Sequence, residues 1–287
     1  MSEKNEINFP CNLCNACDYA VVWSDRKYEA LKCNGCGIIR VSPQPDPEDI
    51  RHIYSRDYFE KYYLKYEKER KAYFRQRLAE IERIIRSEKA RPPSMLDVGC
   101  GVGFFLEAAK EKGWHAEGAE ISHFASEYVR KRTGFKVYTG DLAQADFPPG
   151  GFGVVTMWDV AAHLADPGGY LEKIRGLLAD GGLLVIKTPD HPLRLFKLAK
   201  FLSFTAHSRG LLHIPAQIHH FDPENLSRLL ERHGFRVIKA RKIREALKGG
   251  WTPSNFKNFL IKSFNVFAKI IGIDESFVIY AAKLPRA

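Results

Sequence analysis

Three groups of residues in this 287-residue chain have types and spacings that could do chemistry. The first is Cys11-x2-Cys14 with Cys33-x2-Cys36, two thiol pairs separated by eighteen residues, the spacing of a four-cysteine zinc ribbon. Cys17 offers a competing pair, Cys14-x2-Cys17. The turn after a metal knuckle favours a residue that tolerates positive φ, and Asn15 and Gly37 follow Cys14 and Cys36 whereas Asp18 follows Cys17. The ligand set is therefore Cys11, Cys14, Cys33 and Cys36, with Cys17 a spare thiol; four thiolates leave zinc no open position, so its role is structural. The second group is Asp97-Val98-Gly99-Cys100-Gly101-Val102-Gly103, where three glycines permit a sharp turn and bring a ligand close to bare main chain. A dinucleotide fingerprint would place its third glycine at Phe104. Asp97 at a strand end would repel a pyrophosphate and suit a ligand carrying an ammonium or sulfonium group. The third group is histidine: His163, and the pair His219-His220 ahead of Asp222-Pro223. Neutral imidazole can take the proton of an attacking hydroxyl or amine.

The elements that must position these groups follow from periodicity. Met95 to Val98 is a short apolar strand, and Phe105, Leu106 and Ala109 open a helix, so the glycines form a strand-to-helix turn. Strand-like runs recur at Trp114–Ala119 and Lys136–Gly140, with final strands at Phe235–Arg241 and Ser276–Lys283. Asp222 caps a helix whose first position is Pro223, which places His219 and His220 on the loop before it. Phe74, Leu78, Ile81 and Ile85 recur at helical spacing and should lie on the sheet. Tyr54, Tyr58, Phe59, Tyr62, Tyr63 and Tyr66 precede that helix; packing between ribbon and catalytic domain is expected of them before a cover over a ligand. Residues 1–45 are expected as a zinc ribbon, 46–91 as a connector and helical segment, and 92–287 as the main domain with helical inserts near 192–215 and 246–275. The net charge of +10 suits an anionic partner, yet it is spread along the chain. The ribbon balances Arg26, Lys27 and Lys32 against Asp18, Asp25 and Glu29, so RNA is possible but not favoured. No long uncharged apolar run occurs and Met1-Ser2-Glu3-Lys4 lacks a signal-peptide core, from which a soluble cytoplasmic protein is expected.

Asp97 to Gly103 resembles the cofactor loop of the class I S-adenosylmethionine-dependent methyltransferases, and the likeness continues in order along the chain. Glu120 stands where that family binds both ribose hydroxyls, and Asp141 where it meets the adenine amine. Phe152 to Asp159 is similar to the fourth strand with its aromatic cofactor contact, Trp158. Leu178-Ala179-Asp180-Gly181-Gly182 leads into a fifth strand after a Gly-Gly turn. The resemblance implies a cofactor set of Asp97, Gly99, Cys100, Gly101, Gly103, Phe104, Glu120, Ile121, Asp141, Leu142 and Trp158. Pro215 to Glu224 resembles a Pro-x-His-x-x-His-Phe-x-Pro-Glu segment of zinc-ribbon relatives that methylate sugars, polysaccharides and secondary metabolites. Gln217 replaces its first histidine and His220 matches its second, which makes His220 the first candidate base, with His219 and His163 behind it. Ala162 replaces the glutamate of a Glu-His-x-x-Asp-Pro segment, so whatever that carboxylate does in relatives is missing here.

The expected fold is α/β, a Rossmann-like seven-strand methyltransferase sheet with a small N-terminal zinc ribbon. The expected activity is methyl transfer from S-adenosylmethionine to a small-molecule or glycan acceptor, oxygen before nitrogen. The alternatives are an RNA methyltransferase and a non-catalytic protein that keeps the cofactor fold.

Overall fold

The computed structural model describes residues 9–46, 53–88, 94–190, 213–243 and 276–285. The amphipathic patterns expected within 192–212 and 246–275 lie outside them.

Seven strands form one sheet in the order β10-β11-β8-β7-β4-β5-β6. They are β4 (Ser94–Val98), β5 (His115–Glu120), β6 (Val137–Thr139), β7 (Phe152–Trp158), β8 (Leu178–Pro189), β10 (Phe235–Ile243) and β11 (Ser276–Lys283). β4 pairs in parallel with β5 and β7, and β7 with β8, whereas β11 runs antiparallel to both β8 and β10. The central strands β4 and β7 are buried along nearly their whole length and mostly apolar because both faces are covered. One layer is the buried cluster of Leu78, Ile81, Met95, Phe105, Val154, Val185 and Tyr280. It includes the expected long helix, found at Glu67–Glu88 and called α2. The other layer joins Leu96, Val155, Met157, Ile186 and Phe277 to α5 (Pro167–Leu177) and α6 (Pro223–Arg232). α6 starts as its sequence dictates, with Asp222 and Asn225 forming a reciprocal cap and Pro223 in the first turn. Gly181-Gly182, expected as a turn before the fifth strand, lies within β8, where the register against β7 shifts between Phe152 and Val154.

A second sheet has the order β1-β2-β3-β9. β1 (Tyr19–Ser24), β2 (Glu29–Cys33) and β3 (Ile39–Ser42) belong to the ribbon; the fourth strand, β9, is His219–His220. The two histidines expected on a loop therefore sit in an antiparallel pairing, Ile39 opposite His220 and Arg40 opposite His219. The physical reason is the edge of β3, whose free backbone groups need a partner. The ribbon sheet thus reaches beyond residues 1–45.

Candidate active site

At the C-terminal edge of β4 the chain turns through Gly99, Gly101 and Gly103, all at positive φ, into α3 (Phe104–Glu111). The Gly99 and Cys100 N–H groups donate to the Ala119 carbonyl at 2.7 and 3.2 Å, which fastens the loop to β5. A Cβ on Gly101 would meet Phe59 and Tyr63 at ordinary contact distances of 3.6 and 3.8 Å. A Cβ on Gly99 would lie 2.4 Å from Val160, and one on Gly103 would lie 2.9 Å from Val129, so those glycines serve internal packing. Above Gly101 are Phe59 and Tyr63 of the segment around α1 (Arg56–Tyr62), which packs with Val102, Phe104 and Phe124. Phe59 and Tyr63 thus lie over the glycine loop, in one cluster with Tyr54 and Tyr58. The surface of α3 and α4 (His123–Thr133) at the loop is apolar, which draws the rings there.

Glu120 ends β5 almost fully buried. Its two oxygens accept from the Gly101 and Ser122 N–H groups, each at 2.8 Å. Burial raises its pKa, and those backbone donors oppose the rise. Ile121 beside it is 41% exposed, a large apolar side chain left uncovered next to a buried carboxylate. Asp141 caps the short turn Leu142–Gln144 through the Ala143 N–H at 2.8 Å, and it accepts from the Tyr170 hydroxyl. Leu142 is core. A buried carboxylate at a strand end, an exposed apolar side chain beside it and a glycine turn fit an adenosine-bearing ligand.

Three expected cofactor residues turn inward. Asp97 is 1% exposed and accepts from the Thr156 hydroxyl at 2.6 Å; burial pushes its carboxyl up to about 8. The strand-end charge that suggested a cationic ligand is thus shielded beneath the loop and largely protonated at neutral pH. Cys100 is buried, and a Cβ on Gly118 would lie 2.7 Å from its Sγ. Trp158 packs edge-on against Phe105 and Phe74 at 5.0 and 5.6 Å, on the α2 side of the sheet and not over the loop. Its indole is more valuable filling that layer than exposed.

Beyond β7 lies a wall that the sequence did not single out. Asp159 takes positive φ, and buried Lys187 reaches both of its carboxylate oxygens at 2.7 and 2.6 Å. A lysine closing the apolar run of β8 was the available signal, because a buried ammonium must find a carboxylate. Burial and then the charges of Tyr58, Glu120 and Asp159 raise the Tyr54 hydroxyl above its usual range, so Glu120 and Asp159 both act on the same tyrosine. Tyr54 also meets His163 edge-on at 6.1 Å. His163 Nδ1 lies 2.6 Å from the Ala216 carbonyl; a carbonyl cannot donate, so Nδ1 carries the proton and Nε2 keeps the lone pair. Burial lowers the pKa of this half-buried imidazole and keeps it neutral. His219 is 1% exposed with Nδ1 3.0 Å from the Leu164 carbonyl, and burial pulls it down to about 4. His220 is buried beside it in β9. The structure thus sets His163 beside Tyr54, and buries His219 and His220 in the pairing with β3.

In the ribbon, the Sγ atoms of Cys11, Cys14, Cys33 and Cys36 all lie within 4.8 Å of one another. Cys11 and Cys36 are 3.6 Å apart, Cys14 and Cys33 3.5 Å. Asn15 and Gly37 take positive φ, and Leu13 N–H donates to Cys11 Sγ at 3.4 Å. Tetrahedral thiolates about 2.3 Å from zinc would be separated by slightly under 4 Å, so the donor set fits that ion. Cys17 is exposed outside the cluster.

A family model described as a methyltransferase domain matches residues 63–240. Over 133 residues the chain is 30% identical to the ubiquinone biosynthesis O-methyltransferase of Caulobacter sp. (strain K31), covering 42% of this chain and 52% of that protein. Over 186 residues it is 28% identical to the protein of the same name from Sinorhizobium medicae (strain WSM419), covering 58% and 71%. The chain spans about half the length of the first curated relatives it matches. A SAM-dependent methyltransferase from Archaeoglobus fulgidus superposes with a TM-score of 0.51 at 23% identity, covering 77% of this chain and 99% of that one. Phosphoethanolamine N-methyltransferase 2 of Haemonchus contortus, bound to S-adenosyl-L-methionine, gives 0.55 at 15% identity, covering 83% and 60%. At such identities the likeness is one of fold.

Proposed function

Because this chain belongs to the methyltransferase-domain family, matched over residues 63–240, we propose that it transfers the methyl group of S-adenosylmethionine to a hydroxyl oxygen of a small-molecule acceptor. The observation that carries the reading is Glu120, buried at the end of β5, held by the Gly101 and Ser122 N–H groups and flanked by exposed Ile121. Glu120 would hold the ribose hydroxyls, Ile121 the adenine face and Asp141 the adenine edge. The bound cofactor supplies an electrophilic methyl on a sulfonium. Cys11, Cys14, Cys33 and Cys36 would hold one zinc ion in a closed, structural site.

The chain's own work is to orient the acceptor, exclude water and accept a proton. Tyr54, Tyr58 and Tyr63 cover the loop, and His163 presents Nε2 from the wall beyond β7. His163 is thus the base that this arrangement favours, ahead of His220 and His219. Oxygen chemistry on a small molecule is supported by the names of the curated relatives; a glycan hydroxyl is the second choice. RNA is disfavoured because part of the positive charge is used internally: Arg77, Lys239 and Arg241 all converge on the buried Glu80 carboxylate.

Methyl transfer from labelled S-adenosylmethionine to a panel of catechols and sugars tests the reading. Wild type is expected to label at least one hydroxyl, and His163→Gln to lose about 10²–10⁴-fold in turnover with donor affinity kept. Tight donor binding with no S-adenosylhomocysteine formed on any acceptor would point to a non-catalytic binding protein.

A further inference from the structure

Ile218 is one residue whose backbone is held from both sides. Its N–H donates to the Ala162 carbonyl at 2.8 Å, and its own carbonyl accepts from the Val41 N–H at 2.8 Å. Val41 belongs to β3, the ribbon strand that begins just after the Cys33–Cys36 knuckle, where Gly37 N–H closes on the Cys33 carbonyl at 2.9 Å. Ala162 belongs to the short turn Ala161–His163 in the wall beyond β7. The contacts on either side repeat the link. His163 Nδ1 donates to the Ala216 carbonyl and His219 Nδ1 to the Leu164 carbonyl, while Gln44 Nε2 of the ribbon donates to the Ala165 carbonyl at 3.3 Å.

The apolar packing tells the same story independently. Ile214 completes a buried cluster with Tyr28, Ala30, Ile39 and Val41, so the ribbon borrows part of its core from the segment that carries Ala216 to His220. A four-cysteine module this small has little core of its own. At the far end, Val160 fills the space over Gly99, which sets the wall directly against the glycine loop.

We infer that the four-cysteine ribbon is a positioning element for the acceptor side of the site: it fixes the Ala161–Leu164 turn, and with it His163, through the Ile218 peptide and β9. The inference rests on the reading above that His163 faces the acceptor. The ribbon edge strand supplies backbone donors and acceptors that the segment 216–220 needs, and that segment supplies those the turn needs. His219 and His220 are positioning residues in this scheme and touch no reacting atom. Glu120, Asp141 and Ile121 lie outside the linked segments, and the wall packs on the loop through Val160, so donor binding is expected to survive loss of the link.

Two variants test the link. Val41→Pro deletes the donor to Ile218, and His219→Phe keeps a stacking ring on Phe221 (5.9 Å in the native pair) while deleting the donor to Leu164. In both, amide hydrogen exchange at Ile218 and His163 should quicken by about tenfold or more, because those hydrogen bonds then open locally. S-adenosylmethionine affinity by calorimetry should stay within about twofold, which also certifies that the catalytic domain is folded. With a small catechol as probe, kcat/KM for the acceptor should fall by about tenfold or more at an unchanged KM for the donor. His219→Asn, which can still donate to the Leu164 carbonyl, should recover part of both losses.

Unchanged exchange at His163 in Val41→Pro would overturn the link. So would faster exchange with wild-type acceptor kinetics, or a loss of donor affinity that runs parallel to the loss of turnover. If wild type methylates no acceptor, the functional reading falls by itself, and exchange at His163 still decides whether ribbon and wall move as one unit.

Discussion

The glycine loop and the ribbon junction both tie backbone to backbone beside the cleft, but they are assembled in opposite ways. In the loop, Gly99 to Gly103, Ala119 and Glu120 are separated by one helix and one strand, and short-range geometry brings them together. In the junction, Ile39 to Val41 meet Ile218 to His220 from opposite ends of the chain. The loop is therefore complete once a single β-α-β unit has folded, whereas the junction exists only when ribbon and main domain are both in place. Donor recognition belongs to the first kind of structure and acceptor geometry to the second.

The sharpest way to break the comparison is to dismantle the ribbon alone. Cys33→Ser removes one of four converging thiols, and the apparent free energy of a structural zinc site, on the order of 10–16 kcal/mol in small zinc-binding peptides, depends on all four. Metal analysis should find about one zinc per chain in wild type and in Cys17→Ser, and almost none in Cys33→Ser. Cys33→Ser should retain most of its donor affinity while acceptor turnover collapses. Equal zinc loss in Cys17→Ser would show that the exposed thiol is a ligand after all.

The converse cut is Glu120→Ala. It removes the carboxylate expected to take two ribose hydrogen bonds and leaves the Gly101 and Ser122 N–H groups without their acceptor. A loss of about 2–4 kcal/mol, or about 30- to 1000-fold in Kd, is expected by calorimetry. Zinc content and exchange protection at Ile218 should be unaffected. A folded variant with wild-type affinity would remove Glu120 from the donor site.

The same contrast explains what the sequence could and could not convey. The seven strands, the glycine turn and the Asp222-Pro223 helix start depend on local pattern, and they are found close to where pattern puts them, except that β8 begins ahead of its Gly-Gly pair. The choice among overlapping cysteine pairs used only the backbone tolerance of Asn15 and Gly37, which do take positive φ. Tertiary placement decided the rest. Asp97 has a type and a position but no sequence signature for burial under Thr156. Trp158 alternates onto the face that α2 covers, a matter of which layer packs there. Nothing local to His219-His220 announces a strand, because a two-residue pairing is specified by its partner edge, distant in the chain. Asp159 and Lys187 were legible only jointly, as a strand-end carboxylate and a lysine that had to be paired.

The smallest effect, and the finest test of the junction, is its response to acid. A histidine ordinarily titrates near 6.5. His219 is held down to about 4, first by burial and then by the positive charge of Arg40 across the β3–β9 pairing, with the Leu164 carbonyl and Asp166 opposing. Between those values the unfolded chain binds a proton that the folded chain excludes, so stability falls as pH drops through this window and is recovered above it. The gap corresponds to at most about 3 kcal/mol, and local opening of the junction would relieve it before global unfolding does. Between pH 7 and pH 4.5, exchange protection at Ile218 and His163, corrected for the intrinsic pH dependence of exchange, should decline in wild type. In His219→Phe, which has no proton to gain at this position, that decline should be absent or much smaller. Protection at Gly99 and Cys100, whose N–H groups close on Ala119 within the loop, should stay level in both proteins. A parallel decline at Gly99 would mean that acid opens the main domain as a whole, and loop and junction would then form one cooperative unit.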